Sequence, residues 1–423
     1  MWFYVDQILI GHQRAEAAAD DRPRGNLSDL YPRWLGAREL LLHRRNPYGE
    51  DITLEIQKGY YGRILDPSRP NDPKDRQGFA YPAYVVFLLA PLIGFPFEAV
   101  RTFFHWLLIA VTGFSVWLWL RVLRWRLPWA AMAGAIALTL GSFPAVQGIK
   151  LQQLSLLVAG LLAGSVACLA MDFLFAGGVL LALATIKPQL TWIVVVWMLL
   201  WAVSDWRARR KLVYGFSLVM VLLLIGAEIL LPGWWRMFAQ AIGQYHQYTQ
   251  NQSVPEVILN QIIGGAIPES VSHIAAQILA AIAVLACAPA LWKLRDKNAD
   301  TFGFGCATAL VLALTALVVP MFAPYNQVLL LPAILILVRE RAAFLSQSSA
   351  RRLAYEMGGA IVAWQWIASL GLTAVYWLLS RPSALEHWNR PFFATFALPM
   401  WIFVLLFFHT LTKYVQTENA QSQ

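Results

Sequence analysis

The polar segment 26–48 of this sequence holds an aspartate that a proton-transfer reaction could use. An unperturbed aspartate such as Asp29 ionises at about pH 4, so at neutral pH its carboxylate can accept a proton from an attacking hydroxyl. The residues that follow predict an amphipathic helix in a membrane interface, because apolar side chains recur at intervals of three and four. These side chains are Leu30, Trp34, Ala37 and Leu41. A helix cap formed by Ser28 or Asp29 is the alternative role for the polar pair.

Two lysines stand between apolar runs, where a charge invites a functional explanation. An ionisable residue inside the hydrocarbon layer costs roughly 2.5–3.5 kcal/mol on insertion scales. Lys187 separates two apolar runs and precedes Pro188, and Lys150 precedes the polar pair Gln152 and Gln153. An ammonium group suits a phosphate as a point charge, so both lysines are candidate phosphate ligands. Snorkelling of the side chain to the interface is the alternative.

Two polar segments, residues 232–272 and 380–391, are further candidates for ligand binding, since long polar loops often carry function. In the first, His246 and Asn251 belong to a group of aromatic and amide residues that could bind a sugar by stacking and hydrogen bonds. In the second, Arg381 could meet a phosphate or another anion. Aromatic anchoring in the membrane interface is the alternative for the first group.

The sequence contains no motif for a soluble cofactor. It lacks a glycine-rich phosphate loop, a CxxC pair, an HExxH motif and a GxSxG motif. Its three cysteines, Cys168, Cys287 and Cys306, fall inside apolar runs and have no ligand spacing. We therefore expect no cofactor and no metal, and a substrate taken from the bilayer rather than a soluble nucleotide.

The composition excludes an ordinary soluble domain. Of the 423 residues, 58% are hydrophobic and 13% are charged, whereas soluble domains are about half apolar and about a quarter charged. Apolar runs of about 20 residues, the length that spans a bilayer, recur from Val100 onward. The net charge of +9 comes from basic residues at predicted helix ends and in one loop, so membrane topology explains it better than nucleic acid.

These runs predict a single all-α, polytopic membrane domain with about 11–12 transmembrane helices. The expected spans lie near 98–120, 128–146, 151–170, 173–187, 190–203, 212–231, 273–292, 301–320, 325–338, 355–379 and 393–412. Before these spans, we expect residues 1–12 to be the outer end of a first span that starts before this sequence, 13–78 to be a first extracytoplasmic loop, and 79–95 to be a re-entrant or juxtamembrane segment. The spans form a helical bundle, 98–412, which contains an extracytoplasmic loop, 232–272. Residues 413–423 are expected to be a cytoplasmic tail.

Charge asymmetry orients this predicted bundle. Alternate connections hold fifteen Lys or Arg residues, against five in the opposite short connections. Because short cytoplasmic loops carry the Lys/Arg excess, the first set is expected inside the cell. Asp29 and Lys187 then lie on the outer face of the plasma membrane, provided that 79–95 dips into the membrane and returns. Pro82 and Pro91, near the two ends of that short run, favour such a broken hairpin.

Several of these stretches together resemble glycosyltransferase family 87, a branch of the GT-C superfamily that uses polyprenyl-phosphate sugars. The matching residues occur in family order along most of the chain: Asp29 to Tyr31, Asn46 to Tyr48, Phe79, Tyr81, Pro82, Gln152 to Leu157, Thr185 to Gln189, Asn251 to Ser253, and Pro324 to Gln327. The chain departs from the family pattern at three positions. Ala83 replaces a frequent second proline, Gln152 replaces a glycine, and Tyr325 stands where many relatives have paired histidines.

The resemblance implies that Asp29 is the general base of an inverting transfer, with a polyprenyl-phosphate-linked hexose, often mannose, as the donor. We assign the donor phosphate to Lys187, Lys150 and Arg381. The expected substrate-binding residues are Tyr31, Tyr48, Tyr81, Gln153, Gln189, His246, Asn251 and Tyr325. The acceptor is expected to be an extracytoplasmic glycolipid or glycan. A polytopic transporter or lipid flippase of the cell envelope, which would use the same helices, is the alternative.

Overall fold

The computed structural model describes residues 1–25, 28–249, 252–263, 268–320 and 322–416, and these form helices and no strand. A π-helical turn, Tyr4–Leu9, leads into the first α-helix. The α-helices are α1 Ile10–Ala19, α2 Tyr31–His43, α3 Glu50–Tyr61, α4 Val85–Leu89, α5 Phe97–Val122, α6 Trp129–Leu140, α7 Phe143–Lys150, α8 Leu154–Ala170, α9 Leu174–Ala184, α10 Pro188–Ser204, α11 Trp206–Leu230, α12 Trp234–Thr249, α13 Val254–Ile263, α14 Glu269–Leu294, α15 Phe302–Val318, α16 Leu331–Arg339, α17 Arg341–Leu345, α18 Ser349–Leu378, α19 Arg381–Glu386 and α20 Ala397–Leu411. Shorter 3-10 or π-helical segments are Ala90–Leu92, Pro324–Leu330, Arg390–Ala394 and Thr412–Gln416.

In the described part of the chain, five helical segments are long and apolar enough to cross a membrane, which confirms the prediction of a polytopic all-α membrane protein. They are Phe97–Val122, Trp206–Leu230, Ser270–Leu294, Ser349–Leu378 and Arg381–Tyr414. The pair α6 and α7, bent by 58° at a short break, is a sixth if it forms one broken span. The predicted number of 11–12 spans is larger because it included five apolar runs whose helices are only 10–17 residues long.

The short helix α15 lies inside the bundle, and the long helices α11, α14 and α18 lie on its outside. Nearly every side chain of α15 is buried, whereas α11, α14 and α18 expose large apolar residues such as Ile229, Leu285 and Leu370. An apolar outer surface of this kind suits contact with lipid. The short helices stop where the chain becomes polar, at Gln153 before α8, at Lys187 between α9 and α10, and after α15. Such irregular backbone is tolerated where protein buries it.

The predicted basic connections lie together at one end of the bundle. Arg209 at the start of α11 donates to the carbonyl oxygen of Arg295 after α14, at 2.8 Å. At the same end Arg124 pairs with Asp300, at 2.5 Å, and Lys413 pairs with a carboxylate beyond α16, at 2.7 Å. Helix α10 begins beside Lys187 and ends at Ser204, whose hydroxyl also donates to the carbonyl oxygen of Arg295, at 3.0 Å. Lys187 therefore lies at the opposite end of that helix from these basic connections.

Neither of the two apolar segments near the N-terminus belongs to a helix that is both long and apolar enough to span a membrane. Residues 1–12 pack Tyr4 and Ile8 against a small cluster that includes Phe143 and Leu372. Residues 79–95 contain only α4 and one 3-10 turn, with the side chains around α4 buried. A five-residue helix rises about 7 Å, far less than a bilayer core. The re-entrant assignment of 79–95 stays a prediction that this short helix supports.

Helices α9 and α11 meet through glycines that leave no room for a side chain. A Cβ atom at Gly178 would overlap the backbone of Leu212 and Phe216, and one at Gly215 would overlap the carbonyl group of Phe175. Contacts between small residues let helix backbones approach closely in membranes. We expect Gly178→Ala to lower the free energy of unfolding by roughly 1–3 kcal/mol, because the helices must separate.

The matched control for this prediction is Gly371→Ala in α18, where no described atom lies within 4 Å of the added methyl group. That change should alter the free energy of unfolding by no more than about 1 kcal/mol. Unfolding midpoints in mixed detergent micelles measure both variants. Equal midpoints for the two would show that the α9–α11 contact is not tight.

Candidate active site

The ends of the short helices surround a polar cavity of about 380 Å³. Its wall comes from the residues before α2, the segment that precedes α4, the start of α8 and α10, helix α12 and the turn after α15. The polar lining residues are Asp29, Arg33, Asp75, Gln77, Tyr81, Gln153, Lys187, Gln189, Tyr245, Tyr325 and Asn326. Elements far apart in sequence thus supply both carboxylates and cations to one chamber.

Asp29 does not cap α2, so the alternative role as a helix cap is wrong. That helix has Leu30 at its N-cap position and no side-chain cap. The Asp29 N–H instead donates to the carbonyl oxygen of Leu151, at 2.9 Å, and its carbonyl oxygen accepts from Arg33 Nη1, at 2.6 Å. Its carboxylate accepts a hydrogen bond from Gln153 Nε2. The backbone is therefore held on both sides, and the carboxylate lines the cavity.

Lys187 is buried beside the same glutamine, so it does not snorkel to the surface. Its side chain is 6% exposed, and Nζ donates to Gln153 Oε1 at 3.0 Å and to Ser155 Oγ at 2.7 Å. Ser155 in turn donates to Asn326 Oδ1 at 2.8 Å. The Gln153 amide bridges the Asp29 carboxylate and the Lys187 ammonium group. A proton acceptor and a cation are thereby held one side chain apart.

Two tyrosine rings form the wall beside these charges. Lys187 Nζ lies 5.7 Å from the ring centre of Tyr81 and 5.3 Å from that of Tyr325. The guanidinium of Arg33 lies 4.6 Å from the Tyr81 ring. Tyr48 supports this wall from behind, because its hydroxyl donates to the carbonyl oxygen of Tyr81 at 2.6 Å. The rings offer flat apolar faces inside a charged chamber.

Burial governs the protonation of the two carboxylates in the cavity. It raises the pKa of Asp29 above that of an ordinary aspartate, while the Arg33 guanidinium and the Gln153 hydrogen bond oppose the rise. Burial also raises the pKa of Asp75, and the Asp29 carboxylate adds to that rise. Asp29 therefore binds a proton more tightly than a carboxylate in water, which suits a group that must accept one during a reaction.

Six of the residues predicted from the sequence line the cavity: Asp29, Lys187, Tyr81, Gln153, Gln189 and Tyr325. Five others lie elsewhere. Lys150 pairs with Asp6 at 2.7 Å, Arg381 is exposed with its guanidinium 5.2 Å from the Tyr376 ring, and Tyr31 packs edge-on against Phe97. Tyr48 supports Tyr81 from outside the cavity, as described above, and His246 is exposed. Asn251 lies outside the described residues.

Apart from Tyr245, four polar residues of the cavity were not among the predicted ligands: Arg33, Asp75, Gln77 and Asn326. Asn326 lies inside a stretch that the family resemblance quoted, so position in that motif could have indicated it. Asp75 accepts hydrogen bonds from the Gln77 N–H and Nε2 groups, at 2.9 and 2.8 Å. Gln77 has a left-handed φ of 56°. This local turn aims the Asp75 carboxylate into the cavity and has no periodic signal in the sequence. Tyr245 and Ile242, rather than His246, are the residues of α12 that line the cavity.

The backbone conformation of Gln152 suits the glycine that the family resemblance implies at this position. Gln152 has a φ of 49°, in the left-handed region that glycine adopts without strain. The glutamine compensates by donating from Nε2 to the carbonyl oxygens of Ile149 and Lys150, at 2.8 and 3.0 Å. It thus satisfies the C-terminal carbonyls of α7 and keeps the turn that presents Gln153.

Among the described residues no group of three or more His, Cys, Asp or Glu side chains is arranged to hold a metal ion. The expectation of a metal-free site stays a prediction, and its support is the donor set of the cavity. Asp29 and Asp75 are the two carboxylates there, and both already accept hydrogen bonds from glutamine side chains. Charge in the cavity is balanced by Arg33 and Lys187.

The fold and the site together define a polytopic, all-helical membrane protein with a charged cavity formed by the ends of its inner helices. The family model of glycosyltransferase family 87 matches residues 79–320, more than half of the chain. The chain belongs to glycosyltransferase family 87 and is a membrane glycosyltransferase. Lys187 and Gln153 lie in the matched range, whereas Asp29 precedes it. No curated protein and no solved structure matches the chain.

Proposed function

We propose that this glycosyltransferase moves a hexose, most simply mannose, from a polyprenyl-phosphate donor to a hydroxyl group of an extracytoplasmic glycolipid or glycan, with inversion. The observation that carries the proposal is the chain of contacts from Asp29 through Gln153 to Lys187. A base for the attacking hydroxyl and a cation for the departing phosphate stand in one cavity. A sugar bound between them would have both reacting bonds within reach.

The reaction is a single displacement at the anomeric carbon of the donor sugar. The acceptor oxygen forms the new bond on the face opposite to the phosphate, and the carbon–oxygen bond to the polyprenyl phosphate breaks. Asp29 takes the acceptor proton, and the Lys187 ammonium group stabilises the negative charge on the phosphate. The phosphate is a good leaving group without protonation, so the scheme needs no general acid.

The walls of the cavity suit the remaining parts of such a substrate. The faces of Tyr81 and Tyr325 offer apolar surfaces against which a sugar ring can pack, and Gln189 and Asn326 offer amide groups for its hydroxyls. Asp75 lies in the same chamber as Asp29, so its carboxylate oxygens provide a second set of acceptors for sugar hydroxyl groups. These contacts would orient the ring without taking part in bond breaking.

The decisive test of the proposal is transfer itself. Membranes containing the protein are incubated with radiolabelled polyprenyl-phosphate mannose and a lipid extract of the cell envelope. We expect label to appear in a new lipid or glycan product that depends on the protein. Label that crosses the bilayer without changing its covalent carrier would instead support a flippase.

The pH profile of transfer should report the environment of Asp29. Because burial raises its pKa, kcat/KM should fall, as pH decreases, at a higher pH than a carboxylate in water would give. Gln153→Leu removes a hydrogen bond that lowers this pKa, so the acid limb should move to still higher pH. Gln189→Leu, in the same cavity, should leave the limb where it is. If the wild type, Gln153→Leu and Gln189→Leu all lose kcat/KM at the same acidic pH, Asp29 is not the group that accepts the proton.

The outer location of the site is a further prediction, supported by the basic end of the bundle lying opposite to it. Ser68 is exposed in the same loop as Asp29. In a Cys168→Ala background, which leaves only the buried Cys287 and Cys306, Ser68→Cys should react with an impermeant thiol reagent in intact cells. Labelling only after lysis would place the site in the cytoplasm.

A further inference from the structure

A second polar cavity, of about 190 Å³, lies directly behind the loop that carries Asp29. It is enclosed by the N-terminal helix, the first turns of α5 and the end of α7. One carboxylate, Asp6, lines it together with four cations: Arg14, Arg24, Arg101 and Lys150. Asp6 is matched by Lys150, at 2.7 Å. The guanidinium groups of Arg14, Arg24 and Arg101 remain around a chamber that would hold a small anion, and Arg101 also lies 3.7 Å from the exposed carboxylate of Glu98.

Two buried polar atoms in this second cavity make no hydrogen bond to any described residue. They are Nε of Arg24, a donor, and Oε1 of Gln147, an acceptor. Arg24 already donates from Nη2 to Gln13, so the guanidinium is held in place while its buried Nε–H has no acceptor among the described residues. Buried polar atoms are almost always paired in proteins. A phosphate oxygen would accept from Arg24, and a hydroxyl group would donate to Gln147.

The position of this cavity fits a lipid headgroup. Arg101 lies in the first turns of the membrane-spanning segment Phe97–Val122, at its predicted outer end. Leu151 lines the cavity and accepts the hydrogen bond from the Asp29 N–H, at 2.9 Å. A lipid phosphate seated here would therefore be a close neighbour of the proposed catalytic base, on the other side of the Leu151 backbone from the donor cavity.

We propose that this second cavity binds the phosphate of the acceptor, a membrane lipid whose headgroup also carries hydroxyl groups. The inference rests on the proposed function, because its purpose would be to bring an acceptor hydroxyl to Asp29. It assigns Lys150 to the acceptor side of the site rather than to the donor phosphate. The acceptor is then an anionic lipid, not a neutral glycan.

Binding is tested with the purified full-length protein by its thermal midpoint. The probes are dihexanoyl phosphatidylglycerol, which has a phosphate and two hydroxyls, dihexanoyl phosphatidylcholine, and inorganic phosphate. We expect phosphatidylglycerol alone to raise the midpoint of the wild type and of the control Arg236→Gln, whose guanidinium is exposed on α12. The double variant Arg14→Gln/Arg101→Gln should not respond. If the double variant does not fold, the single variant Arg14→Gln is measured instead, because Arg14 is exposed and its replacement should not disturb folding.

Three outcomes of this binding test would overturn the proposal. Equal stabilisation by phosphatidylcholine would mean that any lipid suffices, and a full shift with inorganic phosphate would make this a free-phosphate site. A double variant that responds like the wild type would remove the guanidinium groups from the binding site.

The acceptor role is tested separately by kinetics. With labelled polyprenyl-phosphate mannose, the lipid extract needed for half-maximal transfer should rise roughly tenfold in the double variant, the scale of one lost charge-assisted hydrogen bond. The donor KM should not change, and a rise confined to the donor KM would overturn the assignment. If phosphatidylglycerol binds as expected but no sugar is transferred by the wild type, the proposed function fails and the acceptor role with it, while the anion site stands.

Discussion

Asp29→Asn should abolish sugar transfer, with kcat reduced by roughly 10²–10⁴-fold, the usual contribution of a positioned general base. Asparagine keeps the size of the side chain and an oxygen that can accept from Gln153, so the cavity should keep its shape. It cannot take the proton of the acceptor hydroxyl. The donor KM should stay near the wild-type value, because Lys187 and the tyrosine walls are untouched. Initial rates at varied donor concentration measure both quantities.

The matched control for this variant is Asp51→Asn in the same polar loop. Asp51 is exposed and pairs with Arg45 at 2.8 Å on the surface, where such a pair contributes little to stability. Its loss should not affect transfer. The variant Asp75→Asn shows which of the two carboxylates in the cavity, Asp29 or Asp75, is needed for transfer. Full activity in Asp29→Asn together with its loss in Asp75→Asn would give the base to Asp75 and contradict our assignment.

Lys187→Met should raise the donor KM by roughly 10–100-fold, the scale of losing a charge-assisted hydrogen bond to the phosphate. Methionine keeps most of the apolar stem and removes only the ammonium group. It also relieves the cost of burying a charge, so the thermal midpoint should not fall much. Lys187→Arg, which keeps the charge but not the compact shape, should retain part of the affinity. Donor saturation curves and thermal midpoints of the same preparations measure the two effects.

Lys150→Met is the control for Lys187→Met, since the two lysines have similar sequence contexts but lie in different cavities. We expect its donor KM to match that of the wild type. A donor KM that rises in both variants would support the assignment of both lysines to the donor phosphate. Unchanged donor saturation in Lys187→Met would remove Lys187 from the phosphate site altogether.

The outline of the membrane domain could be predicted closely because hydrophobicity is a property of each run by itself. The expected span 98–120 corresponds to Phe97–Val122, and the expected span 355–379 corresponds to Ser349–Leu378. The helix after Asp29 was also predicted, since its apolar periodicity is local. Length was the weaker inference. The run 173–187, for example, contains a helix that is too short to span a bilayer. That helix ends just before Lys187, whose side chain lines the cavity.

The membership of the site was predicted only in part. Asp29, Lys187 and Gln153 were found because unusual residues interrupt apolar runs or match a family motif. Asp75 was missed, because its place in the cavity depends on a turn at Gln77 that no periodicity reveals. Lys150 and Lys187 could not be told apart, since each follows an apolar run and precedes polar residues.

The sequence by itself determined that this is a helical membrane protein, which of its helix connections form the basic group, and which family it belongs to. These are sums over residues or matches along the chain, and they need no knowledge of which helices touch. Only the tertiary structure decided that Gln153 stands between Asp29 and Lys187, and that Lys150 faces a different cavity. The physical reason is that a hydrogen bond forms only when its donor and acceptor lie about 3 Å apart. Gln153 and Asp29 are more than a hundred positions apart in the sequence, and only the packing of the helices brings them together.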